Sequence, residues 1–125
     1  MPLKVLYIED EPDIRALAEM MMVSVGGFTV KSCADGMSAL AEAPGFAPDL
    51  IVLDVMMPGL SGPETLVKLR ELPVTARTPA IFMTGKSQQD EIDSLIALGA
   101  IGIVSKPFDP MTVASKIQEL VDGAA

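Results

Sequence analysis

Five short apolar segments, each followed by a longer stretch of helical periodicity, constrain the fold of this chain more than any other feature of its sequence. They cover residues 5–8, 28–30, 50–53, 80–83 and 101–104. The segments are rich in β-branched residues and mostly uninterrupted by polar side chains, which is typical of strands covered on both faces. Strands that alternate with helices predict a parallel sheet with helices on both sides and right-handed crossovers.

The stretches between these segments have apolar residues at the three- and four-residue spacing of amphipathic helices. The first predicted helix begins at Pro12 and ends at Gly26-Gly27. The second begins near Met37 and ends before Pro44, because proline disrupts the interior of a helix.

Three further helices are predicted from capping residues and prolines. Pro63 opens the third helix. Ser87 is a candidate N-cap for the fourth, with Asp90 at the capping-box position. Asp109-Pro110 opens the fifth.

The composition is that of one globular domain, which we expect to span all 125 residues. With 17 Asp and Glu residues against 9 Lys and Arg, the formal charge is −8, so the chain is repelled by DNA and by anionic membranes. The sequence has no histidine, which excludes Ser-His-Asp and Cys-His catalysis and His-ligated zinc. Its one cysteine, Cys33, is interpreted as a small buried hydrophobe. We therefore expect a cytoplasmic protein with no nucleic-acid partner and no membrane partner.

Side chains that can carry chemistry follow four of the predicted strands, each at the carboxyl end. They are Glu9 and Asp10 after the first strand, Asp54 after the third, Thr84 after the fourth and Lys106 after the fifth. The carboxyl ends of parallel strands meet at one edge of the sheet, where such folds bind their ligands. We therefore expect these five side chains to share one pocket.

Three carboxylates in one pocket repel one another, and a hard divalent cation such as Mg²⁺ relieves that repulsion. Asp54 can then attack phosphorus as a nucleophile and form an aspartyl phosphate. Lys106 neutralises charge on the phosphoryl group, and the Thr84 hydroxyl donates a hydrogen bond to it. The proline and glycines of the VMMPGLSG segment let the loop after Asp54 turn tightly, which leaves the carboxylate accessible.

Four segments carry a family resemblance over essentially the whole chain: VLYIEDEPDIR, PDLIVLDVMMPGLSG, TPAIFMTGK and LGAIGIVSKPFDP. With these segments the chain resembles the receiver domain of bacterial two-component response regulators, and in particular the stand-alone chemotaxis receivers. The resemblance implies a flavodoxin-like, doubly wound α/β sandwich of three layers, with a five-stranded parallel sheet of order 2-1-3-4-5. It also implies a phosphorylation-dependent signalling switch. Such a switch takes its phosphoryl group from a partner histidine kinase or phosphotransfer protein and then acts on a downstream protein target.

The same resemblance implies roles for the residues around the acceptor. Asp54 is the phosphoacceptor, and Asp10 is a direct Mg²⁺ ligand. Glu9 acts on the metal through a water molecule, and the backbone carbonyl of Met56 supplies a further ligand. Met56 and Lys86 tune the lifetime of the phosphorylated state, because Met56 cannot orient a hydrolytic water and Lys86 adds a contact to the phosphoryl oxygens.

The resemblance also implies how the switch operates. Thr84 and Lys106 contact the phosphoryl group, and the peptide bond between Lys106 and Pro107 is expected to be cis. Thr84 moves toward the phosphoryl group when it arrives. Ile103 stands where the family often has an aromatic residue, and we expect it to repack and close the space that Thr84 leaves.

Three alternatives remain open on the sequence. The first is a phosphate-independent docking module, which the intact set of acidic, hydroxyl and ammonium side chains argues against. The second is an Mg²⁺-dependent aspartyl phosphatase of the haloacid-dehalogenase type. Such enzymes place the nucleophilic Asp after the first strand, where Asp10 stands here, and need a second Asp two residues later. This chain has Pro12 at that second position. The third is a flavodoxin, whose phosphate would be repelled by the EDEPD segment. Since the sequence begins with Met1 and ends soon after the fifth helix, a stand-alone regulator is favoured over an excised domain.

Overall fold

The computed structural model describes residues 2–85 and 88–124. The strands are β1 (Lys4–Ile8), β2 (Thr29–Cys33), β3 (Leu50–Asp54), β4 (Ala80–Thr84) and β5 (Ala100–Ser105). The helices are α1 (Pro12–Ser24), α2 (Gly36–Phe46), α3 (Gly62–Arg70), α4 (Gln89–Ala97) and α5 (Val113–Ala124). A short 3-10 helix, Pro73–Thr75, precedes β4.

The five strands form one parallel sheet in the order β2-β1-β3-β4-β5. The predicted doubly wound, flavodoxin-like sheet of order 2-1-3-4-5 is confirmed. The strand order reverses at β1, because β2 lies on one side of it and β3 on the other. A reversal of this kind opens a crevice at the carboxyl ends of the two central strands.

The sheet separates two apolar layers of the core. On one face, side chains such as Leu53 and Phe82 pack with residues of α2, α3 and α4. On the other face, side chains such as Val52 and Met83 pack with residues of α1 and α5. Every residue of β3 and β4 is buried, as expected for strands covered on both sides. Full burial of one such aliphatic side chain contributes roughly 2 kcal/mol of transfer free energy.

The β2 strand departs from the prediction of two covered faces. It lies at the edge of the sheet, and Thr29 and Lys31 are exposed while Cys33 is buried. The apolar segment 28–30 therefore marks only the start of the strand. Cys33 agrees with its interpretation as a small buried residue, since it is 4% exposed and burial raises the pKa of its thiol to about 11.

The prediction that α2 ends before Pro44 was wrong. The helix continues through Pro44 to Phe46 and ends at Ala47, which adopts a left-handed conformation with φ of 49°. Pro44 forgoes one backbone hydrogen bond in the last turn. Ala43 is fully buried and Phe46 packs against the core, and these contacts hold the last turn in place.

The starts of α4 and α5 also differ from the predictions. Ser87 lies outside the described residues; the N-cap of α4 is Gln88, whose side chain makes no capping hydrogen bond. The α5 helix begins at Val113, because the chain first forms a turn in which the Asp109 carbonyl accepts from Thr112 and Val113. Among the described residues, no helix has the length and apolar character needed to cross a lipid bilayer.

Candidate functional site

The carboxyl ends of β1 and β3 bring three carboxylates together. One carboxylate oxygen from each of Glu9, Asp10 and Asp54 lies within 4.8 Å of the other two. Glu9 and Asp54 are buried, and Asp10 is half-buried. Since β1 and β3 are hydrogen-bonded neighbours in the sheet, residues that follow them directly must meet at this edge.

Lys106 reaches this cluster from β5, on the far side of β4. Its Nζ lies 2.8 Å from Oε1 of Glu9 and 3.3 Å from Oδ2 of Asp54. The Lys106 backbone N–H donates to the Thr84 carbonyl at 2.9 Å, and the peptide bond to Pro107 is cis, as the resemblance implies. One ammonium group thus spans the two buried carboxylates.

Burial and charge act against each other in this ion pair. Burial raises the pKa of Glu9, and the charge of Asp54 raises it further, while the hydrogen bond from Lys106 lowers it. Burial alone would lower the pKa of Lys106, but Glu9 and Asp54 outweigh it, so the pKa of Lys106 is raised. Lys106 therefore stays charged, whereas the ionised form of Glu9 is less stable in the folded protein than in water.

The donor set of the cluster fits a hard divalent cation. Carboxylate and carbonyl oxygens are the ligands that Mg²⁺ prefers, and it needs only one or two carboxylates together with water and a phosphate. Among the described residues, Lys106 and Arg15 place two positive charges beside the three carboxylates, which leaves excess negative charge that such a cation would neutralise.

Thr84, at the end of β4, borders the same crevice. It is 4% exposed, and its hydroxyl donates to Oε1 of Glu91 in α4 at 3.5 Å. A cavity of about 420 Å³ opens here, lined by Glu11, Asp54, Met56, Thr84, Gly85 and Lys106. The structure thus brings together all five side chains that the sequence places after the strands.

The backbone after Asp54 is held tightly. The Val55 N–H donates to the Met83 carbonyl at 3.1 Å, and the Gly62 N–H donates to the Val55 carbonyl at 2.9 Å. Gly62 lies so close to the Asp54 carbonyl oxygen that a Cβ there would overlap it. Gly59 turns the intervening loop with a φ of 74°, in the region that favours glycine. These contacts fix the position of the Asp54 side chain.

Two residues at the site have no role in the sequence-based prediction. The Arg15 guanidinium donates to the Glu9 carbonyl at 2.8 Å and to the Asp10 carbonyl at 3.5 Å, which fixes the backbone of the acidic pair. Glu91 accepts from Thr84. Arg15 could have been found from its place in the VLYIEDEPDIR segment, where it follows the acidic pair at a fixed spacing. No sequence signal indicates Glu91.

The remaining predicted residues have different placements. Met56 is 67% exposed beside Asp54. Ile103 is half-buried, pairs with Phe82 across the β4–β5 register and faces the α2, α3 and α4 side of the sheet. Lys86, predicted to tune the phosphorylated lifetime, lies outside the described residues.

Comparison with known proteins gives consistent matches. Residues 5–118 match the family model of the response regulator receiver domain. The transcriptional regulatory protein TrcR of Mycobacterium tuberculosis is 33% identical over 121 residues, which cover 96% of this chain and 46% of that protein. The structure of chemotaxis protein CheY4 of Vibrio cholerae shares 31% identity at a TM-score of 0.89, covering 96% of this chain and 99% of that one.

A further solved structure bears on the metal. It is the receiver domain of sensor histidine kinase PA1611 from Pseudomonas aeruginosa, with a magnesium ion coordinated in its active-site cleft. It shares 25% identity at a TM-score of 0.83 and covers 98% of this chain and 99% of that one. The chain spans about half the length of the curated relatives that it matches. These matches decide against the phosphatase and the flavodoxin: the chain belongs to the response regulator receiver domain family, whose members are phosphoacceptor signalling modules rather than classical enzymes.

Proposed function

We propose that Asp54 is the phosphoacceptor of this receiver and that it is phosphorylated with the help of Mg²⁺ by a histidine kinase or a phosphotransfer protein. The observation that carries this proposal is the position of the Asp54 carboxylate. It opens into the cavity of about 420 Å³, 3.3 Å from the Lys106 ammonium and beside two further acids. Phosphorylation then changes the surface offered to a downstream protein target.

The transfer is a displacement at phosphorus. An oxygen of Asp54 forms the bond to phosphorus while the bond from phosphorus to an imidazole nitrogen of the donor breaks, and the nitrogen keeps the electron pair. The donor imidazole must belong to a partner, because this chain contains no histidine. Lys106 stays protonated and stabilises the phosphoryl oxygens, and the Thr84 hydroxyl turns toward them.

Glu9, Asp10, Asp54 and the backbone carbonyl of Met56 are the groups that would hold Mg²⁺. A bound cation would neutralise charge on the carboxylates and on the phosphoryl group. The magnesium ion of the PA1611 receiver domain supports this assignment by analogy. The Arg15 contacts to the carbonyls of Glu9 and Asp10 would keep these two ligands in place as charges change around them.

Two residues would set how long the phosphoryl group stays on Asp54. Met56 is exposed at the mouth of the cavity, and its thioether cannot orient a water by donating a hydrogen bond. Met56→Asn should therefore speed dephosphorylation, which a radiolabel or mass time course measures. Slower loss in this variant would contradict the role of Met56. The role of Lys86 stays a prediction.

Thr84 and Ile103 would carry the signal away from the site. Ile103 lies two residues before Ser105, the register partner of Thr84, so both side chains occupy the same face of the sheet. Movement of Thr84 toward the phosphoryl group would leave space that Ile103 can close. The Thr84 contact with Glu91 connects the same movement to α4.

Intact-mass analysis after incubation with acetyl phosphate and Mg²⁺ tests the proposal. The native chain should gain the mass of one phosphoryl group, and Asp54→Asn should gain none. Asp49→Asn is the matched control, because Asp49 is an exposed acid that directly precedes β3, at the opposite end of the strand from Asp54, and this variant should react normally. An unchanged gain in Asp54→Asn, or full reaction in EDTA, would overturn the assignment. Target binding that is the same with and without phosphate would favour the docking module instead.

A further inference from the structure

One buried side chain beneath the site is not accounted for by the mechanism. Tyr7, in β1, is fully buried within the layer that packs against α1 and α5. Its hydroxyl makes no hydrogen bond, alone among the buried side-chain nitrogen and oxygen atoms of residues 2–85 and 88–124. An unpaired buried hydroxyl lowers stability, and folded proteins rarely keep one without a reason.

The position of Tyr7 places it directly under the acidic cluster. Successive side chains of a strand alternate between its faces, so Tyr7 and Glu9 point to the same side of β1. Val52 is the register partner of Tyr7 and stands two residues before Asp54 in β3. Tyr7 and Val52 thus form the layer immediately below Glu9 and Asp54. After burial, the charges of these two acids are the next largest causes that raise the pKa of Tyr7 above its usual range.

The Glu9 carboxylate already has two hydrogen-bond donors in the structure. Lys106 donates to its Oε1 at 2.8 Å, and the Glu11 N–H donates to its Oε2 at 3.3 Å. Once Lys106 moves to the phosphoryl oxygens, Oε1 loses its donor. Glu9 is fully buried, so bulk water does not easily replace that donor. Tyr7, on the same face of β1, has a buried hydroxyl available to donate.

We propose that Tyr7 is a positioning residue of the phosphorylation site, whose hydroxyl donates to the Glu9 carboxylate once Lys106 has turned to the phosphoryl group. The inference rests on the proposed function of Asp54 and Lys106. The hydrogen bond exists in one state of the protein only, so it stabilises the phosphorylated state relative to the free one. It would also keep the Glu9 carboxylate in place when its lysine partner leaves.

Tyr7→Phe removes the hydroxyl and leaves the ring. The phosphorylated state is mimicked by Mg²⁺ with beryllofluoride, and thermal unfolding is measured with this mimic and in EDTA. In EDTA the variant should be as stable as the native chain or more stable, because no hydrogen bond is lost. Its affinity for the mimic should fall about tenfold, which is typical for the loss of one hydrogen bond to a charged group in the bound state.

Thr75→Val is the matched control. Thr75 is also a fully buried residue with a hydroxyl, but its hydroxyl donates to the Leu69 carbonyl, away from the acidic cluster. This variant should lose stability in EDTA and keep its affinity for the mimic. The two variants therefore separate a hydroxyl that serves the free fold from one that serves the phosphorylated state.

The emission of Tyr7 gives a direct readout, because the chain has one tyrosine and no tryptophan. A new hydrogen bond to a carboxylate should quench this emission when Mg²⁺ and beryllofluoride are added. Unchanged emission, or equal affinity of Tyr7→Phe and the native chain for the mimic, would overturn the inference and leave the proposed function intact. A native chain that does not respond to the mimic at all would overturn the proposed function, and this inference with it.

Discussion

The connections that leave β3 and β4 differ in the contacts that their described residues make. After β3, Gly62 lies against the Asp54 carbonyl, and α3 begins with a complete capping box. In that box the Glu64 N–H donates to the Ser61 hydroxyl at 3.2 Å, and the Ser61 N–H donates to Glu64 at 3.0 Å. After β4, the Gln88 side chain makes no capping bond, and the Thr84 hydroxyl donates to Glu91 across 3.5 Å.

This difference matches the different tasks of the two connections. A nucleophile must be held in a reactive geometry, since small displacements slow the reaction severely. A switch must instead pass between two arrangements of similar free energy. The tight packing around Asp54 suits the first requirement, and the start of α4, where Gln88 provides no side-chain cap, suits the second. Substitutions at these two connections, and at the acidic cluster between them, should therefore have different effects.

The largest effect is expected for Gly62→Ala. The added Cβ would overlap the Asp54 carbonyl oxygen, and backbone on both sides cannot move aside easily. We expect the free energy of unfolding in urea to fall by about 3 kcal/mol. Gly85→Ala is the matched change after β4, where the nearest atom to a Cβ would be the Lys106 carbonyl oxygen at 3.7 Å. It should change stability by less than about 0.5 kcal/mol, and equal effects of the two variants would remove the contrast.

Ser61→Ala should have the next largest effect. It removes one bond of the capping box at α3, and loss of an N-cap side chain costs about 1 kcal/mol. Ser94→Ala in α4 is the control, because its exposed hydroxyl donates to the Asp90 carbonyl within the helix and takes no part in capping. Urea denaturation of the two variants measures the difference, and an equally stable Ser61→Ala chain would show that the cap does not hold this connection.

Gln88→Ser should act in the opposite direction. It supplies the capping side chain that α4 lacks, and we expect a gain of about 0.5 kcal/mol in urea denaturation. Serine is chosen because Asp90 and Glu91 already place two acids in the first turn. A firmer start of α4 should also reduce the difference in target binding between the phosphorylated and free protein. Unchanged phosphorylation-dependent binding in a stabilised variant would contradict the link between the uncapped start of α4 and switching.

The smallest change in stability is expected for Glu9→Gln in EDTA, because the interactions of Glu9 partly cancel. Burial and Asp54 destabilise its ionised form, while Lys106 stabilises it. The raised pKa means that Glu9 ionises more readily in the unfolded chain. Native stability therefore falls as pH rises above the ordinary value of 4.5, and it is unaffected where Glu9 is protonated in both states. The variant lacks this loss, so thermal melts should place it increasingly above the native chain as the pH rises from 4.5 to the raised pKa of Glu9.

Two further measurements test whether the change in stability comes from the charge of Glu9. Excess Mg²⁺ should reverse the order of the two chains, because the variant has lost a carboxylate that would hold the cation. Glu42→Gln is the control, since Glu42 is half-exposed and forms a surface pair with Lys31 at 3.5 Å, and it should change stability by less than about 0.5 kcal/mol. A Glu9→Gln chain that is less stable than the native one at pH 7 in EDTA would show that the Lys106 bond outweighs burial.

The alternation of strands and helices could be predicted from the sequence, and so could the residues that close each strand. Apolar segments such as 50–53 can be buried only as covered strands, and residues such as Asp54 that follow them must then lie at one edge of the sheet. The strand order and the cis bond before Pro107 came from the family resemblance, since periodicity carries no information on either. That these side chains lie together could be predicted, because parallel strands end at the same edge of a sheet.

Other features depend on contacts that form only in the folded chain, so sequence patterns do not predict them. Phe46 keeps α2 helical past Pro44 because it packs against the core, and local propensity does not include that contact. The Arg15 guanidinium reaches the Glu9 carbonyl because the short turn between β1 and α1 brings the two residues together. The unpaired hydroxyl of Tyr7 is equally invisible in the sequence, where a tyrosine in a strand is an ordinary core residue. Hydrogen bonding of a buried group depends on every neighbour that three-dimensional packing brings near it, and sequence spacing identifies few of these.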